Sequence, residues 1–287
     1  MSIISIKNLT YQYPTSEEDV LRDISVEFES GKFYAVIGAN GAGKTSLCNA
    51  IRGFIPHFYN GELQGDVLIE GRDIREWELG ELSTKIGYVF QNPFTQISGV
   101  KDTVFDEISF GLENLGVEES EIRSRVADII QLLEIGHLQE KNPFELSGGQ
   151  KQRVALASII VMEPEILVID EPTSQLDPQS TEAIFSIIEL MQKKGKTIIL
   201  VEHKIELIAE YADYIIVMKD GKAVLQGNAD DVLSNEQAIE LGCALPQYAL
   251  FGIEMKENGM DLGTIPLTEK KAISAVQHLL EKRRVTS

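Results

Sequence analysis

The chain has 287 residues, 43% hydrophobic and 25% charged, enough apolar material for one large packed domain or one domain plus a modest appendage. Its 26 Lys and Arg against 45 Asp and Glu give a formal net charge of −19, which argues against polyphosphate backbones and anionic lipid as direct partners. No apolar run approaches the roughly 20 residues of a membrane helix, the N-terminus lacks a secretory-signal pattern, and two cysteines, Cys48 and Cys243, make no disulfide framework, so the expected setting is the reducing cytoplasm.

In chain order, Ile24, Val26 and Phe28 alternate with polar residues, the pattern of a half-buried strand. Residues 33–37 form a short apolar run that ends in a Gly-rich turn, and residues 43–53 predict a helix. Residues 67–69 read as a further strand, and residues 86–90 as an apolar run before Gln91-Asn92-Pro93. Trp77, set among charges, is expected at a subdomain edge. Ile122, Val126, Ile129, Ile130 and Leu133 follow helical spacing, and a second helix fits residues 150–162. Strand runs return at 166–169, 197–201 and 214–218. A helix through Ile184, Ile187, Ile188 and Met191, ended by Gly195, separates the first two. Beyond about residue 235 the pattern is less regular, but Ala272, Val276, Leu279 and Leu280 predict a last amphipathic helix, with Lys282, Arg283 and Arg284 at its solvated end. Short apolar strands alternating with helices imply a parallel sheet covered on both faces, with residues 92–160 a helical insertion.

Residues 38–45 read Gly38-Ala39-Asn40-Gly41-Ala42-Gly43-Lys44-Thr45, which is G-x-x-x-x-G-K-[ST] between a buried strand and a helix. Glycines let the backbone wrap a phosphate, successive N–H groups form an anion nest, and the helix N-terminus adds partial positive charge. Lys44 can reach terminal phosphates, and the Thr45 hydroxyl can ligate Mg²⁺. Ser46 continues the loop into the helix. Cys48, on that helix, reads as a small buried hydrophobe. The apolar run 166–169 ejects Asp170-Glu171 at its C-terminal end, where ligands bind in open α/β sheets. Asp170 is placed to hold Mg²⁺, and Glu171 to polarise a water for attack on a γ-phosphate.

Leu146-Ser147-Gly148-Gly149-Gln150 precedes a helix, with Ser147 a candidate N-cap and two glycines exposing N–H groups. This would be a second anion site in a chain with one nucleotide loop. Here the sequence resembles the ATPase subunit of an ATP-binding cassette (ABC) transporter. The resemblance implies an α/β fold: a P-loop NTPase parallel-sheet core, an antiparallel β subdomain, an inserted α-helical subdomain and a small C-terminal extension. It implies a nucleotide-binding domain over 1–232, and an α-helical extension over 233–287 that is a candidate for dimerisation. It also implies that Ser147, Gly149 and Gln150 close on the γ-phosphate of ATP held by the other protomer.

Further residues appear in that family's order. Tyr13 resembles the aromatic that stacks on adenine, with Tyr11 as its rival. Gln91 resembles the glutamine that senses γ-phosphate and Mg²⁺ and borders the groove for the membrane partner. Ser174-Gln175-Leu176-Asp177 resembles the loop that signals across the dimer, with Gln175 where Ala is frequent. His203 resembles the switch histidine, flanked by Glu202 and Lys204 where Thr and Asp are common. His57, His137 and His278 lack such context and read as surface residues. Phe90-Gln91-Asn92-Pro93, residues 110–114, Leu245-Pro246-Gln247 and Ile265-Pro266-Leu267-Thr268 resemble energy-coupling factor transporter ATPases, which serve vitamin and metal-ion uptake; Phe94 and Thr95 depart from that pattern.

The resemblance therefore implies an enzyme using ATP and Mg²⁺, with Lys44, Gln91, Glu171 and His203 as its catalytic set and Thr45, Gln91 and Asp170 at the metal. Gly38, Asn40, Gly41, Gly43, Lys44, Thr45 and Ser46 would hold the nucleotide. The implied partners are a second ATPase protomer, identical or paralogous, and integral membrane transporter subunits, which would hold the chain at the cytoplasmic face of the cell membrane. A soluble ABC ATPase acting on nucleic acid or ribosomes is the competing reading. A single cassette, no long heptad run and the acidic charge oppose it. A regulator that binds nucleotide without turnover is a third, opposed by the intact Glu171 and His203.

Overall fold

The structure, a computed structural model, describes residues 2–285; the side chains of 282–285, with the basic cluster Lys282, Arg283 and Arg284, lie outside the description. Ten strands occur among the described residues: β1 Ser2–Gln12, β2 Leu21–Glu29, β3 Phe33–Gly38, β4 Glu62–Ile69, β5 Arg72–Asp73, β6 Ile86–Val89, β7 Ile166–Asp170, β8 Thr197–Val201, β9 Tyr214–Lys219 and β10 Lys222–Asn228. They form two sheets. One is antiparallel, in the order β2-β1-β4-β5, and the other runs β10-β9-β3-β8-β7-β6, parallel throughout except for β10.

The burial patterns follow from these positions. β6, β7 and β8 are buried at every residue, which is why they read as unbroken apolar runs. β2 alternates, with Ile24, Val26 and Phe28 facing the core. β1 carries no such signal. Its register shifts between Ile6 and Leu9, around Asn8 at φ 50, so the alternation breaks in mid-strand. β4 begins five residues earlier than its apolar end suggests, with Gly65 at φ 82 interrupting the half-exposed portion.

No strand lies between β6 and β7. Helices Pro93–Gln96, Val104–Asn114, Glu119–Leu132 and Gly148–Ile160 fill that interval. The last three share an apolar cluster with helix Pro178–Lys193, in which Val126, Val154, Ile184 and Phe185 are fully buried. Each such side chain contributes about 1.5–3 kcal/mol of burial. Trp77 is 6% exposed, under the Arg72 guanidinium 4.5 Å from its ring centre. After β10 the chain packs back on the sheet: Val232, Leu245, Ala249 and Leu267 join Ile208, Ile215 and Val217 in a third cluster. The last helix, Glu269–Val285, buries Ala272, whereas Leu280, expected on the same stripe, is 54% exposed.

The parallel arrangement sends the loops after β3, β6, β7 and β8 to one edge of the sheet. At that edge Gly38 has φ +149, and a Cβ on it would lie 2.2 Å from the Met218 carbonyl oxygen of β9. Gly38→Ala is therefore expected to destabilise the fold by about 1–3 kcal/mol, as measured by urea unfolding; an unchanged midpoint would mean the strand end tolerates a side chain there.

Candidate functional site

The helix Lys44–Arg52 starts directly from the turn after β3. Gly41 and Gly43 have φ 80 and 98, and Gly43, as N-cap, offers no side chain to the first N–H groups. The first turn contains no acid. These donors and the positive end of the helix dipole therefore face the loop, the arrangement that binds a phosphate. Lys44 is 5% exposed, and its ammonium donates to the carbonyls of Gly38 at 2.9 Å and Ala39 at 3.0 Å. Asn40, Gly41 and Thr45 are exposed along the same turn.

The tyrosines resolve by burial. Tyr11 is fully buried and donates its hydroxyl to the Tyr59 carbonyl at 3.2 Å, and burial pushes its pKa up to about 12. It has no face to offer. Tyr13 is half-buried, edge-on to Tyr11 and Tyr59, with its hydroxyl 3.1 Å from Ser46 Oγ, which sets the ring beside the phosphate-type loop.

Asp170 ends β7 at 5% exposure. Its Oδ2 accepts from the Tyr88 hydroxyl at 3.4 Å, and its Oδ1 is buried without a hydrogen-bond partner. Burial raises its pKa, opposed by a hydrogen bond from Thr45 and assisted by the charge of Glu171. Glu171 stands at φ 45, a backbone conformation uncommon outside glycine, with its N–H on the Val201 carbonyl at 2.9 Å. Its side chain is gripped from both sides. Gln91 Nε2 donates to Oε2 at 2.7 Å, and His203 Nε2 lies 2.8 Å from Oε1. The loops after β6, β7 and β8 thus converge on one carboxylate.

Ser147 caps helix Gly148–Ile160. Its hydroxyl accepts from Gln150 N–H, and the Gln150 side chain accepts from Ser147 N–H, a reciprocal box. Among the described residues no hydrogen bond or ion pair links Ser147, Gly149 or Gln150 to residues 38–46 of the same chain. Gly149 instead abuts helix Pro178–Lys193, where a Cβ would meet Ser180 Oγ at 2.5 Å. Asp177 caps that helix, accepting from Ser180 N at 2.9 Å and Ser180 Oγ at 2.7 Å. His57, His137 and His278 are exposed, away from this edge. Sequence reasoning overlooks Tyr88, Thr173 and the burial of Glu202; a polar residue straight after a five-residue apolar strand is the one available signal for Glu202.

The family model for ABC transporters matches residues 21–174, and with them the loop, the glutamine, the signature and the acidic strand end. The chain belongs to the ABC transporter ATPase family. It is 36% identical over 290 residues to the energy-coupling factor transporter ATP-binding protein EcfA2 of Clostridium acetobutylicum, covering 98% of this chain and 99% of that one. Among solved structures it is similar to CbiO1 of Clostridium perfringens, part of the ABC transporter complex CbiONQ, with TM-score 0.73, 35% identity, and coverage of 83% of this chain and 93% of that one. It is also similar to a dimeric ATP-binding cassette in a post-hydrolysis state bound to ADP and Pi, with TM-score 0.69, 26% identity, and coverage of 79% and 98%. This ABC chain is thus an ATPase subunit of a transporter, of the energy-coupling factor type.

The Asp170 shift has a consequence for stability. A carboxyl that holds its proton more tightly folded than unfolded stabilises the fold at low pH, and that stability is lost as pH rises through the folded value. Without nucleotide or divalent cation, Asp170→Asn is therefore expected to raise the thermal midpoint at pH 7 and not at acid pH. A lower midpoint at pH 7, seen by calorimetry, would contradict the cost assigned to this buried charge.

Proposed function

We propose that the chain hydrolyses ATP at the cytoplasmic face of the membrane to drive uptake of a vitamin or metal ion by an energy-coupling factor type transporter. The likeness to EcfA2 across both full chains supports the transporter type, and the CbiO1 likeness supports a place in a multisubunit ABC transporter complex. No helix among the described residues is long and apolar enough to cross a membrane. The solute path and the anchoring then fall to integral membrane subunits, docked beside Gln91. The net charge of −19 suits a basic docking helix.

The observation that carries the hydrolytic reading is the Glu171 carboxylate, held between Gln91 and His203 one residue beyond buried Asp170. ATP phosphates would lie on residues 38–45 with Gly38, Asn40, Gly41, Gly43, Thr45 and Ser46 around them and Lys44 on the terminal groups, and Tyr13 would meet the base. Glu171 would orient the attacking water, with its own orientation set by its two partners. His203 would meet the γ-phosphate. The donor set fits Mg²⁺: the unpartnered Asp170 Oδ1 and the Thr45 hydroxyl are hard oxygen ligands, with Gln91 near, and no carboxylate-rich cage stands among the described residues. When bound with the nucleotide, Mg²⁺ would neutralise phosphate charge.

In this reading the signature residues Ser147, Gly149 and Gln150 serve a second protomer, identical or paralogous, and two ATP molecules are buried between the pair. Among the described residues they make no hydrogen bond or ion pair to residues 38–46 of their own chain, which supports it, as does the dimeric form of the similar cassette. Residues 1–232 would be the nucleotide-binding domain, with 92–160 its helical part, and 233–287 an extension serving the dimer.

Glu171→Gln is expected to keep ATP binding and dimerisation and to lower turnover at least about 100-fold, read as phosphate release; wild-type turnover would remove the assignment. Lys44→Ala is expected to weaken ATP binding about tenfold or more, by titration calorimetry, and unchanged affinity would count against its phosphate role. His203→Ala should bind normally and hydrolyse poorly.

A further inference from the structure

The turn after β8 carries a second acid that the site above does not use. Glu202 is 3% exposed, immediately beyond Val201. A carboxylate leaves water only at high cost unless partners replace its hydration. Both oxygens of Glu202 have them. Oε1 accepts the backbone N–H of His203 at 2.9 Å and of Lys204 at 3.2 Å. Oε2 accepts the hydroxyl of Thr173 at 2.7 Å, and Thr173 is 1% exposed. Thr173 lies two residues beyond Glu171. The Lys204 ammonium closes the strap from the other side, donating to the Thr173 carbonyl at 3.3 Å and to Thr181 Oγ1 at 2.7 Å, in the first turn of helix Pro178–Lys193.

Two loops are therefore tied twice. At the open end His203 meets Glu171, with the His203 side chain 45% exposed. A contact that exposed is weak and competes with water. At the closed end the Thr173–Glu202 bond is buried, the others are part-buried, and those to the carboxylate are charge-assisted, the stronger kind. The closed end decides where the His203 backbone lies.

We propose that Glu202, through Thr173 and with Lys204, is a positioning group that fixes the switch histidine relative to Glu171 and makes loops 171–177 and 202–204 move as one piece during turnover. Among the described residues no hydrogen bond of the Glu202 or Thr173 side chain reaches the loop 38–45; both act through the residues they hold. The same strap reaches the signature: Thr181 shares its helix turn with Ser180, which packs on Gly149. A displacement of loop 171–177 would thereby carry His203 with it. This inference rests on the hydrolytic roles given to Glu171 and His203.

Steady-state ATP hydrolysis by the full chain tests it. Glu202→Ala and Thr173→Val are each expected to lower kcat about tenfold while KM for ATP stays within about twofold, because the loop 38–45 is untouched. Glu202→Gln keeps an acceptor for the two N–H groups and an amide that the Thr173 hydroxyl can turn to meet, and Thr173→Ser keeps the donor; both should recover most of kcat. The double variant should be no slower than Glu202→Ala alone, since the one bond that Thr173→Val deletes is already lost in Glu202→Ala. Unchanged kcat in Thr173→Val, a rise in KM at constant kcat, or fully additive losses would overturn the strap. If Glu202→Ala fails to fold, the Thr173→Val and Thr173→Ser pair decides by the same criteria. Glu171→Gln and His203→Ala run alongside separate the two levels. Full turnover in those defeats the hydrolytic assignment itself; their loss beside unaffected Thr173→Val defeats the strap alone.

Discussion

One carboxylate organises the functional edge. Glu171 sits in a backbone conformation that an L-residue adopts at a cost, and three loops meet at it. The sheet register supplies the compensation. Asp170 pairs with Val201 across β7 and β8, and the Glu171 N–H continues that ladder onto the Val201 carbonyl. The register cannot slip by one residue, because a slip would turn every side chain of a strand buried on both faces through the sheet. The same pairing that holds β7 inside the molecule therefore aims Asp170 and Glu171 outward. Strand packing and site geometry are one constraint here, expressed at two ends of a five-residue strand.

Charged side chains at that edge and in the helical insertion have left water. Lys44, Asp170, Lys151 and Glu202 are each at most 5% exposed. Their solutions differ with their place. Lys44 donates to two carbonyls of its own loop. Lys151 donates to the Phe144 carbonyl at 2.8 Å and lies 4.2 Å from the Phe94 ring centre. Glu202 is satisfied on both oxygens. Asp170 alone keeps a buried oxygen without a partner, and Cys48 beside it has its thiol pKa pushed up by burial and by the Asp170 charge. Three apolar clusters hold the fold against these costs, so the edge can remain electrostatically unrelaxed.

How legible this was in the amino-acid sequence depends on whether a residue's role is local. The loop 38–45 is legible because Gly38, Gly41 and Gly43 answer backbone demands that no other residue meets without strain. Strands β7 and β8 are legible because burial on both faces forces unbroken apolar runs. β1 is not, since the irregularity near Asn8 hides its alternation. Tyr11 and Tyr13 look alike two residues apart, and only packing shows that one is interior and the other half-open. Thr173 and Glu202 are 29 residues apart and individually ordinary. Their partnership exists only because β7 and β8 are neighbours, which no local pattern encodes.

The extension past β10 obeys the same logic of shared walls. Gly242, Cys243 and Ala244 line a cavity of about 200 Å³ together with Gly38, Ala39, Glu202 and His203. Ile37 and Ile205 line it too, and both belong to the third apolar cluster, where Cys243 and Leu245 are buried. The back of the loop 38–45, the His203 turn and the extension therefore rest on one apolar body rather than on three. Interiors at crystal-like density transmit displacement instead of absorbing it. The His203 turn and the extension thus share a wall through Ile205 and the Cys243 segment, while Leu280, in the last helix, is 54% exposed.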